Sequence, residues 1–257
     1  MARDINREAN AWFAQSLRFT CFTAEPIGGE AMQWWASLVG SEPEATVSRT
    51  NVSLRQQEGP FGSGRLSLIL LPDRIDWHYS AANRPDIDEA EKIGGFATLG
   101  PFRDALDLVR PLIFRWLEIE HAFIRVAFGA VLLQPVTDRP SGYRRISKYL
   151  PAVRLDPEGS SEFSYSINRP RTTTVGGVEL INRLSKWSVM ASQAVQISLG
   201  LGSTHTMPNE MYHACRLELD INTPPNLTVP LPAKELTAIF EKLFELGDDI
   251  AREGDQP

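Results

Sequence analysis

Cysteine is almost missing from this 257-residue chain, which holds only Cys21 and Cys215. Two thiols exclude a disulfide framework, and no second Cys or His pair stands at zinc-ligand spacing, so no metal is expected. Each lies in a stretch that reads as strand, where a lone thiol behaves as a small buried hydrophobe. Long apolar runs are missing too. Nothing approaches the roughly 18 residues of a membrane helix. Residues 1–30 carry Arg3, Asp4, Arg7, Glu8, Arg18 and Glu25 with no signal-peptide core. These absences predict a cytoplasmic protein with no membrane partner.

The common catalytic and cofactor signatures are absent as well: no P-loop, no Gly-x-Gly-x-x-Gly after a strand, no His-Glu-x-x-His, no Gly-x-Ser-x-Gly. The glycines of Gly59–Gly64 (GPFGSG) join two strands and have no helix N-terminus to hold a phosphate. They read as a hairpin turn. No cofactor and no catalytic residue are assigned on motif grounds.

What is present is a patterned, folded chain. The hydrophobic share of 42% against 23% charged is that of a globular protein able to bury a sizeable core. Leu17–Thr23 alternates as a first strand, and Glu30–Leu38 is spaced as a short helix closed by Gly40. Three strands fall between Thr46 and Tyr79, the first running from Val47 to Gln57. Phe102, Ala105, Leu106, Val109, Leu112, Ile113, Trp116 and Leu117 trace one face of a long helix, with Pro111 as a kink rather than a stop.

The order then recurs from Ala122: a strand, a short helix over Tyr143–Leu150, three strands between Glu162 and Ile221, and a helix over Leu236–Ile250. Val178–Leu199 is too long for one ordinary strand and reads as two strands or one bent strand, with an Ala-rich middle that also suits a helix. The expected fold is α+β: two tandem β-α-β-β-β-α halves, a mainly antiparallel sheet, and helices packed on one face. Residues 1–15 read as a loose arm, 16–120 as the first half and 121–257 as the second, the halves packed as one compact unit.

Three features bear on function. First, the net charge of −6 is uneven. Arg139 to Lys186 holds nine basic and four acidic residues, a segment of +5 that leaves −11 elsewhere. Arg144, Arg145, Lys148, Arg169 and Arg171 are the candidate binders of an anion or a nucleic acid. Second, Trp12 in the arm and the adjacent Trp34 and Trp35 are candidate anchors of a protein interface, either with a partner or in a homodimer. Third, His213, Glu218 and Asp220 crowd one strand, a grouping suited to acid–base chemistry. Seven residues separate His213 from Asp220, which places them on opposite faces.

The strand Leu217–Ile221, the proline-rich spacer Pro224–Pro232 and the closing helix Glu235–Ile250, with the strand Ile124–Val131, resemble a family of uncharacterised bacterial proteins of similar length, distributed sporadically among genomes. The resemblance covers about half the chain. It implies a cytosolic bacterial α+β protein of an accessory or mobile-element system, and it carries no site residues. The leading expectation is a non-catalytic interaction module. The alternatives are an anion or nucleic-acid binder and an enzyme with a His/carboxylate pocket.

Overall fold

The computed structural model describes residues 11–82, 92–119, 122–193, 211–227 and 229–256. Its strands are β1 (Phe13–Thr23), β2 (Ala45–Arg49), β3 (Leu54–Phe61), β4 (Gly64–Leu71), β5 (Arg74–Ala81), β6 (Phe123–Val136), β7 (Ser164–Asn168), β8 (Arg171–Thr172), β9 (Leu180–Gln193) and β10 (Met211–Asn222). They form one sheet in the order β2–β3–β4–β5–β1–β6–β10–β9–β7, with β8 on β9. Every pairing is antiparallel. Strands β1 and β6 pair along the middle, Phe19 facing Phe128.

Strict alternation gives the sheet two different sides. In β10, Cys215, Leu217, Leu219 and Ile221 are buried on one side while Arg216, Glu218 and Asp220 stand on the other. The apolar side carries all the helices found among the described residues: α1 (Trp34–Val39), α2 (Phe102–Leu117), α3 (Arg139–Ile146) and α4 (Leu236–Glu253). Phe128 lies at the centre, 5.6 Å from the ring of Phe19, 4.9 Å from Phe244 of α4, and stacked with Phe102 of α2. Each such ring contributes about 1.5–3 kcal/mol on burial. Gly247 lets α4 come this close, since a Cβ there would meet the Phe128 ring at 3.2 Å.

Helix α2 has the bounds expected and runs through Pro111 without stopping. Gly40 takes φ 79 at the end of α1, the left-handed cap its position suggests. Elsewhere the boundaries differ. The run Val47–Gln57 is two strands, because a 3-10 turn at Thr50–Val52 and a left-handed Ser53 reverse the chain between β2 and β3. Strand β1 begins at Phe13, inside the expected arm. A bulge between Ala14 and Ser16 breaks the alternation there and hides the strand from a period-two reading. Helix α3 starts at Arg139 rather than Tyr143, since the Asp138 carboxylate accepts the Ser141 N–H as an N-cap and Pro140 sits in the first turn. Strand β9 is one strand of 14 residues, not a helix. Residues 194–199 of the expected segment lie outside the described residues.

Candidate functional site

The second side of the sheet is polar, and no helix among the described residues covers it. The register places Arg49, Arg65, Arg74, Arg18, Arg125, Lys186 and Arg216 there, against Glu58, Asp76, Glu218 and Asp220. Seven cations to four carboxylates make this face basic on a chain whose net charge is −6. One short segment crosses onto it. Phe96 packs on Leu133 and Ala214 beside Met190 and Tyr212. Gly95, at φ 79, allows that approach, because a Cβ would lie 2.2 Å from the Tyr212 ring.

A depression of about 370 Å³ opens at the middle of this face, lined from β1 by Ser16 and Arg18, from β5 by His78, and from β6 by Gly129 and Val131. Ser166, Leu184, Lys186, Glu218 and Asp220 complete it. Gly129 is what makes the hollow. With no side chain on a central strand, the Arg18 guanidinium lies across the backbone, Nη2 3.4 Å from where a Cβ would be.

Around the hollow most charges are paired. Glu218 holds Lys186 at 3.3 Å and Arg216 at 3.2 Å. Asp220 accepts from Asn222, whose own carbonyl accepts from Arg125 and Asn182. Arg125 and Arg74 stack on opposite strands' approaches to the Phe22 ring at 5.0 and 5.7 Å. Arg74 also bonds Asp76, which accepts the Thr20 hydroxyl. Arg18 makes no ion pair among the described residues, and its Nε, like those of Arg74, Arg125 and Arg216, is buried with no hydrogen-bond partner among them. Burial, and then the Arg18 charge, hold His78 below its usual value, against a smaller opposing pull from Asp76.

The expected site residues fall in several places. Glu218 and Asp220 share the hollow, but His213 lies on the other side of β10, as its spacing implied. Arg144 is exposed on α3 and paired with Glu158 at 2.6 Å. Arg145 and Lys148 belong to the same short stretch. Arg169 is bound through Nε and Nη2 to the buried Asp255, which also accepts from Tyr165. Arg171 pairs opposite Ile181, whereas α3 touches β9 at Val189, eight residues or about 26 Å further along the strand. The five bases therefore do not converge on one patch. His121 and His205 lie outside the described residues.

The tryptophans expected at an interface are in the core. Trp12, Trp34 and Trp35 are 6%, 5% and 1% exposed. Trp12 packs on Tyr149 and Trp187, Trp34 on Trp116 of α2, and Trp35 on Trp77 of β5. Helix α1 is wedged between α2 and the sheet, so two rings 100° apart both find cover. Both cysteines are fully buried; burial pushes Cys21 well up and Cys215 to about 12, so neither is a ready nucleophile.

Sequence reasoning missed Arg18, His78 and Gly129. Each stands on a strand that the sequence did reveal, but the pairing of β5, β1 and β6 that unites them is not local information. No helix of the described residues is long and apolar enough to cross a membrane. No protein-family model matches the chain, and no curated protein matches it.

Proposed function

We propose that the protein is a binding module, without catalytic machinery of its own, whose working surface is the open face of the sheet. Its central hollow takes a small organic anion that also carries hydrogen-bond donors, such as a hydroxy or amino acid. The observation that carries this reading is the Arg18 guanidinium, buried at Nε without a partner among the described residues, in a hollow whose other lining cation, Lys186, already holds Glu218. Arg18 would hold the anionic group, and Glu218 and Asp220 would accept from the donors. A volume of about 370 Å³ suits a ligand of that size. The reading moves the anion site from the 139–186 segment to the sheet, keeping only Lys186 of that segment's bases. The like order of the two halves, joined first strand to first strand, supports treating them as a tandem repeat with the hollow at the seam.

The test is an NMR titration of the His78 imidazole in the presence of malate, citrate and glutamate. An anion on Arg18 cancels the charge that holds His78 down, so its pKa rises in the wild type and does not rise in Arg18→Met. If none of the three compounds moves His78, or if the variant responds equally, the hollow is not an anion site.

A second reading, acid–base chemistry on the bound ligand, has one observation in its favour. His78, which burial holds below its usual value, lines the same hollow as Glu218 and Asp220. It requires turnover of a bound compound that His78→Gln abolishes while binding survives.

A further inference from the structure

On the helix side of the sheet, at its far edge, Arg183 of β9 is 5% exposed, and both Nε and Nη1 are buried with no hydrogen-bond partner among the described residues. An uncompensated guanidinium in such a place is costly, because desolvation is not returned by acceptors. The nearby acids are engaged. Asp255 is bound by Arg169 and Tyr165, while Asp249 and Glu253 are bound by Arg252 at 2.5 and 3.2 Å. Arg183 instead faces a polar depression of about 260 Å³, with Arg171 and Lys242 on its rim and the turn after α4 closing it at Gly254 and Gln256.

We infer that this depression is a second anion site, separate from the hollow on the open face, and that it takes a compact phosphate-type oxyanion. Three basic side chains from β8, β9 and α4 line it: Lys242 on the rim also holds Glu245 at 2.9 Å, and the buried Arg183 lacks acceptors at two nitrogens. A tetrahedral oxyanion offers acceptors in several directions at once, which suits nitrogens that do not form a single fork. The volume admits a phosphate with a small organic group, and the Asp249 and Glu253 carboxylates on the rim are already held by Arg252.

The Arg183 Nε–H resonance, assigned by its loss in Arg183→Met, reports on this site alone. Inorganic phosphate at constant ionic strength should shift it in the wild type and equally in Arg18→Met, because the two sites are independent. Lys242→Gln should weaken the phosphate affinity about tenfold, the loss of one charge-assisted contact. Arg183→Met should abolish the phosphate-dependent rise in melting temperature that this site gives, while melting no lower than the wild type in phosphate-free buffer. A small phosphorylated alcohol run alongside distinguishes free phosphate from a phosphorylated ligand by which binds more tightly. No shift of Arg183 Nε–H with either compound overturns the inference, as does an unchanged affinity in Lys242→Gln. Failure of the open-face reading would instead leave Arg183 responsive and His78 silent.

Discussion

Replacing Gly129 should make the protein more stable and less able to bind. Glycine in a strand interior costs about 0.5–1 kcal/mol relative to alanine, through the conformational freedom it loses on folding. Gly129 does not have a positive φ, so no backbone strain opposes a side chain. A Cβ there would meet Arg18 Nη2 at 3.4 Å, Arg18 Nε at 3.5 Å and the Leu219 carbonyl at 3.5 Å, all ordinary van der Waals contacts. Gly129→Ala should therefore recover most of that cost. For a chain of this size, the melting temperature should rise by about 1–4 °C.

Gly129→Val goes further. Its methyls occupy the hollow and push the Arg18 guanidinium toward solvent, where Nε gains water as a partner. A β-branched residue also suits a strand. Thermal melts and urea titrations of both variants measure the stability arm, and the His78 titration with malate, citrate or glutamate measures the binding arm. The expected result is a gain in stability with binding weakened in the alanine variant and lost in the valine variant. A melting temperature lowered by either substitution would refute the steric reasoning. Full ligand response in Gly129→Val would refute the placement of the site.

Trp35→Ala should cost about 3–5 kcal/mol in urea unfolding, because it removes a ring 1% exposed and stacked on Trp77 at 6.1 Å; a loss below about 1 kcal/mol would return Trp35 to the role of interface anchor. The His78 environment makes stability fall in mild acid. Arg18 opposes its charge from β1 and Asp76 favours it from β5, with Lys186, Glu218 and Asp220 lining the same hollow. Its folded pKa lies below the unfolded 6.5, so the unfolded chain binds more protons as pH drops from about 6.5 toward the folded value. Stability is complete above that window and declines through it. His78→Gln should flatten the decline, and an identical pH profile in the variant would contradict the assignment.

Much of the fold was legible because its cause is local. Phe102–Leu117 and Leu236–Ile250 carry their apolar faces at helical spacing, and Cys215–Ile221 alternates cleanly, so element type followed from period alone. The failures are also local in origin. Beside the bulge between Ala14 and Ser16 the period-two pattern loses phase, and at Thr50–Ser53 a polar turn sits inside a run of good strand formers. The sequence suggested exposed tryptophans because Trp34 and Trp35 cannot share one helix face. A helix held on two sides removes that constraint, and only tertiary structure reveals it. The basic segment misled for a related reason. Arg169 and Lys186 are 17 positions apart on opposite sides of the sheet, one held by Asp255 and the other by Glu218.

The hollow is built by strands far apart in the sequence. Ser16, Arg18 and His78 come from β1 and β5; Gly129, Lys186, Glu218 and Asp220 come from β6, β9 and β10. Its floor is the seam where β1 and β6 pair, Arg18 opposite Gly129. Arg18 thus comes from one strand of the seam and the space beneath it from the other. Either strand without the other would leave an arginine or a bare glycine on a sheet edge, and neither forms a hollow. Pairing β1 with β6 removes two exposed sheet edges, which would otherwise invite pairing with other chains. The same pairing that protects the fold from aggregation therefore assembles the site. A substitution that weakens the seam should impair binding and solubility together.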